Sequence, residues 1–87
     1  MLELKAQNKR FNEFTEIDKF ALIPKKQWSD FELGENTLIL NGREQKVRAY
    51  EIPCTCIGQK HTHRILDLRP IWNKMNFQDH EIIEVSK

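Results

Sequence analysis

Glycine and proline are scarce in this chain, three of each in 87 residues, and no apolar run is long. These shortages exclude several classes. Without a stretch near the ~20 apolar residues that a bilayer crossing requires, no membrane-spanning helix is expected and no membrane partner is implied. The opening MLELKAQNKR sets charges among its apolar residues, so it lacks the apolar centre of a secretory leader, and a cytoplasmic location is the expectation. There is no Gly-rich phosphate loop and no His-Glu-x-x-His helix. Neither serine, Ser29 or Ser86, has the Gly-flanked turn of a nucleophile elbow. A non-enzymatic protein is therefore expected. Charge of one sign is lacking too: fourteen basic and thirteen acidic residues leave a net +1, so any nucleic-acid binding would need a local patch. Two cysteines in a reducing compartment read as thiols or ligands, and a bridge between Cys54 and Cys56 would close a strained, very short ring. No repeat and no linker divides the chain, so residues 1–87 read as a single small domain.

What is there is mostly alternation. LELKAQ places Leu2, Leu4 and Ala6 on one face and Glu3, Lys5 and Gln7 on the other, the period of a half-buried strand. FTEIDKFALI, 14–23, reads as a second strand, with Phe20 and Leu22 on one side and Ala21 and Ile23 on the other. Its end is apolar on both faces, as where a strand runs under a cover. Pro24 stops it and suits a helix start, so PKKQWSDF predicts a turn or two of helix with Trp28 near Phe31. Asn41-Gly42 between two β-type runs is the type I′ hairpin dipeptide, whose central positions both need positive φ, and it predicts strands over 37–40 and 43–52. HTHRILDL is another strand. Pro70 opens a short helix with Ile71 and Met75 at i, i+4, and HEIIEVSK closes the chain as a strand. The pattern predicts a mainly β domain: a small closed or split barrel of five to seven strands with two short capping helices. Trp28, Phe31, Trp72 and Phe77 are expected in the core or between helix and barrel.

The strongest concentration of chemistry is IPCTCIGQKHTHRIL, 52–66, which holds both cysteines and two of the three histidines. Residues i and i+2 share a strand face, so Cys54 pairs in direction with Cys56, and His61 with His63. If the intervening IGQK closes a hairpin with Cys56 across from His61 and Cys54 across from His63, all four stand together, with opposite Cβ atoms about 5 Å apart. Thiolate and imidazole are the ligands that zinc prefers, so Cys54, Cys56, His61 and His63 form a candidate zinc site; otherwise no cofactor is expected. The alternative is a polar hairpin whose cysteines pack as small hydrophobes, and a slip of one residue would separate the set. The basic residues Arg43, Lys46, Arg48, Lys60 and Arg64 are candidate phosphate contacts, with Lys46 and Arg48 on one strand face. Glu44 and Glu51 interrupt them, as on an ordinary solvated face.

The order of motifs also resembles a family: a strand ending in IPKKQW, the Asn-Gly hairpin in LILNGREQ, a polar loop before HRILDL, a short helix in PIWNKMNF and a terminal EIIEV. It is similar to a small bacterial and archaeal β-barrel family of unknown function, met alone or fused to a bacteriocin-protection (OmpD-associated) type domain. Pro24, Asn41, Gly42, His63, Arg64 and Leu66 match that pattern. CTCIGQK stands where the family has a Gly-rich loop, and QDHEIIEV keeps only Asp79 of a Gly-Asp pair. The resemblance implies a split barrel related to AbrB and antitoxin-type folds, relatives of which bind DNA as dimers, and it brings no catalytic residue. Three functions are thus expected in turn: a binding module acting through a protein or homodimer interface, a zinc-binding module, and an AbrB-like DNA-binding regulator.

Overall fold

Six antiparallel strands close on themselves in the order β1-β2-β5-β4-β3-β6. The computed structural model describes residues 2–13, 15–53 and 61–87. The strands are β1 Leu2–Gln7, β2 Phe20–Ile23, β3 Gly34–Leu40, β4 Arg43–Pro53, β5 Thr62–Asp67 and β6 Ile82–Ser86. A 3-10 helix, Lys25–Asp30, and one short α-helix, α1 Trp72–Met75, complete the set. The mainly β barrel with two short helices expected from the sequence is the fold, and it is closed.

The closure follows from the alternation. In β1, Leu4 and Ala6 point inward while Glu3 and Lys5 face out, and Leu4 pairs with Ile83 and Leu2 with Val85 across the seam to β6. Asn41 and Gly42 turn the β3–β4 hairpin at φ 49° and 81°, the two positive values a type I′ turn requires, and Leu40 pairs with Arg43 directly across it. Strand β3 begins earlier than expected, at Gly34, whose φ of +94° suits glycine alone.

Inside, one row of residues crosses four strands: Ala6 pairs with Ala21, Ala21 with Leu66, and Leu66 with Ala49. Each is 2% exposed or less. Three of the four are alanines, so the row leaves volume that larger side chains must take. Phe31, Trp72 and Phe77 do so from the two ends, in one cluster with Leu38, Leu40, Ile83 and Val85. The 3-10 helix covers one mouth, with the Trp28 indole N–H donating to the Ile23 carbonyl at 3.0 Å. The α1 segment covers the other, with the Trp72 and Phe77 rings edge to face at 5.7 Å. Pro24 is the residue before the 3-10 helix and not its first member.

The second strand is shorter than its sequence suggests. Only Phe20–Ile23 carries ladder partners. Residues before it alternate in hydrophobicity as a strand does, but Ile17 is used differently: it lies against the outside of the barrel with Phe20, Ile52 and Ile65, beside Phe11 and Tyr50. Residues 8–13 and 15–19 thus form a strap over an outer apolar patch, which explains why Phe20 and Ala21 are buried on opposite faces of β2.

Replacing Ala21 by Leu adds three carbons to the tightest row of the barrel. The Ala21→Leu variant is expected to lose about 1–3 kcal/mol in urea unfolding, whereas Leu22→Ala, on the exposed face of the same strand, stays within about 0.5 kcal/mol of the parent.

Candidate functional site

Strand β4 outruns its neighbour. Strand β3 pairs with it only as far as Ala49, while β5 accompanies it to Pro53 through Tyr50–Ile65, Glu51–Arg64, Ile52–His63 and Pro53–Thr62. The two strands therefore project past the barrel rim, and the strap crosses their outer face. The Phe11 ring meets Phe20 at 5.2 Å and His63 at 5.8 Å, both edge to face. The Phe11 N–H donates to the Ile17 carbonyl at 3.0 Å, closing the strap on itself, and the Asn12 amide donates to the Pro53 carbonyl at 2.9 Å. Beside this strap runs a groove of about 480 Å³, with Thr15, Ile17, Tyr50, Ile52 and Arg69 in its wall.

His61 and His63 lie on this outer face, their rings edge to face with centroids 4.9 Å apart. The shared face expected from their spacing is present. The pairing expected for His63 is not: it stands across from Ile52, not Cys54. The outer positions of β4 and β5 here are Ile52, Ile65 and His63, and burial of the two isoleucines against Phe20 and Ile17 sets the register. Cys54, Cys56 and Lys60 lie outside the described residues. Among the described residues, no group of three or more His, Cys, Asp and Glu side chains is placed to hold a metal.

The basic residues divide among three places. Lys46 and Arg48 share the exposed face of β4, opposite Thr37 and Glu35. Arg43 reaches toward α1, its Nη1 donating to the Lys74 carbonyl at 3.5 Å. Arg64 sits at the other mouth, where its Nε donates to Glu51 at 3.0 Å and its guanidinium carbon lies 4.6 Å from the Trp28 ring centroid. That contact is a packing device between β5 and the 3-10 helix, worth roughly 0.5–1 kcal/mol at a half-exposed site.

One pair gave little sign of itself in the sequence. Asp67, only 5% exposed, accepts from the Arg69 backbone N–H at 3.0 Å, from its Nε at 3.0 Å and from its Nη2 at 2.9 Å. These bonds fix the guanidinium at the groove, and the hydrogen bond to Asp67 raises the Arg69 pKa, opposed next by burial and helped to a lesser degree by the charges of Asp67 and Asp18. The only sequence signal was the Asp-Leu-Arg spacing at a strand end just before Pro70.

No protein-family model, no curated protein and no solved structure matches this chain. No helix among the described residues is long and apolar enough to cross a membrane.

If the strap is held by Phe11, Phe11→Ala releases it without opening the barrel. Hydrogen exchange should then speed up at the Phe11 amide and its strap neighbours, while the amides of Leu38, Leu40 and Ile83 keep their protection.

Proposed function

We propose that the chain is a non-catalytic binding module that acts through an interface with another protein or with a second copy of itself. The observation that carries this reading is the outer face of β2, β1 and β6, next to the cluster that the strap covers. Ile82, 52% exposed, pairs with Lys5, and Leu22, 39% exposed, stands one step beyond the Ala21–Ala6 pair on the other side of Lys5. Two large aliphatic side chains thus flank one lysine stem on the outer barrel wall. Such a patch, apolar with a charge it can satisfy at its centre, is the make-up of a small interface core. The barrel interior supports the same reading, because side chains fill it and caps cover both mouths, leaving recognition to the outer surface. For a homodimer, the weight-average mass by light scattering rises with protein concentration, and Leu22→Glu with Ile82→Glu abolishes the rise while the circular dichroism melt is kept. A parent protein that stays at the mass of one chain throughout removes the homodimer from this reading.

A second reading, a zinc-binding module, is favoured by the His61–His63 contact. Two imidazoles on one face with centroids 4.9 Å apart need little movement to share one cation, whose nitrogen bonds are about 2.0–2.1 Å. Protein purified without tag or chelator should then carry about one zinc per chain, lose it in the Cys54→Ala/His61→Ala double variant, and melt at a lower temperature in chelator. Metal-free protein with an unchanged melt in chelator refutes this second reading.

A further inference from the structure

The opposite end of β4 carries a hollow of its own, of about 370 Å³, lined by Glu44, Gln45, Lys46, Ile71 and Lys74. It exists because β4 outruns β5 as well. On one side β3 pairs with β4 from Arg43 onward, but no β5 residue pairs with β4 before Ala49. The chain leading into α1 lies along that open side: Ile71 is buried there, and Arg43 reaches the Lys74 carbonyl.

Two features of this hollow go beyond packing. The first is charge. Lys46 and Lys74 line it against the single carboxylate of Glu44, with Arg43 next to it at the Lys74 carbonyl, and among the described residues none of the three cations is in a salt bridge. The second feature is Gln45. It occupies an inward position of β4, where the next two inward residues are Val47 and Ala49, and it is only 7% exposed. Its amide nitrogen donates to the Met75 sulfur at 3.5 Å, a weak acceptor, and its amide oxygen has no hydrogen-bond partner among the described residues. The oxygen is open to water, since among the described residues Gln27 Oε1 alone is a buried side-chain polar atom without a partner, but the Gln45 N–H is held only by a weak acceptor, which is costly at an inward position where an apolar residue would serve the core better. The cost is offset if the amide serves a ligand in the hollow it lines.

Two ammonium groups and an amide N–H at one small hollow, with a guanidinium beside it, are the donors of an oxyanion site, each bond being charge-assisted or directed. We propose that this hollow binds a phosphate group, held by Lys46, Lys74 and Arg43 with the Gln45 amide turned from Met75 toward it. The group belongs to a small phosphorylated molecule or to a nucleic-acid backbone. The interface on β1, β2 and β6 is separate from it, and neither proposal depends on the other.

Nitrogen-15 NMR titrations at low salt test this, with pyrophosphate in one arm and a short DNA oligonucleotide in the other. Binding is expected to shift the amides of Glu44–Lys46 and Ile71–Lys74 and the side-chain NH₂ of Gln45. The Lys46→Gln/Lys74→Gln variant, altered only at exposed positions, should melt as the parent does and bind roughly tenfold more weakly or worse. Pyrophosphate binding with no response to DNA identifies a small phosphorylated ligand. Oligonucleotide binding that weakens with added salt, less steeply in the double variant, identifies a nucleic-acid backbone. The absence of shifts at these residues in both arms, or affinity that the double variant leaves intact, overturns the site.

Discussion

The row of small side chains across four strands is the constraint on which the rest of the barrel depends. Ala6, Ala21 and Ala49, with Leu66 between the last two, let the strands curve tightly around a narrow interior. Small walls alone would leave voids, and each missing contact is lost dispersion energy. The large rings must then come from elsewhere, and the two capping segments bring them as Phe31, Trp72 and Phe77. The caps are therefore part of the core. This also accounts for how so short a chain keeps a filled interior with few residues in helices.

The same economy explains the strap. A strand as short as β2 gains little from its ladder, yet Phe20 on its outer face is buried as deeply as the residues inside. Ile17 and Phe11 cover it, together with Ile65 and Ile52, so the barrel wall is stabilised from both sides at β2 and β5. The cost of ordering the strap is offset by this second apolar cluster and by hydrogen bonds that close the strap on itself and tie it to Pro53.

Much of this was legible in the sequence, for physical reasons that differ by residue. Asn41-Gly42 announced its hairpin because few dipeptides adopt two positive φ values. The inward face of β1 was legible because alternation with one face buried fixes register. Ile17 misled, because alternation alone does not say whether an apolar residue points into a barrel or folds back over its outside. The clamp of Asp67 on Arg69 was nearly silent, since two residues of opposite charge two positions apart are common on surfaces; only burial of the carboxylate separates this pair from the rest. Of the candidate metal residues, the shared face of His61 and His63 followed from strand geometry, while the partner of His63 did not, because apolar burial of Ile52 and Ile65 chose it.

Two hollows of this molecule have one origin. A closed barrel leaves no sheet edge along its middle, so a strand longer than its neighbours is one place where unpaired backbone and an accessible cleft arise. Strand β4, at eleven residues, is longer than β3 and β5, and it overhangs one at each end. Past β3 it forms, with the strap and Arg69, the groove beside the histidines. Before β5 it forms, with α1, the hollow around Gln45. The chemistry at the two ends differs because their coverings differ. The strap brings apolar and aromatic groups and its groove holds an arginine already neutralised by Asp67, whereas the α1 side brings Lys74 to cations that no carboxylate neutralises among the described residues. The proposed anion site belongs to the second end, and the length of a single strand, relative to its two partners, sets where on the barrel each hollow lies.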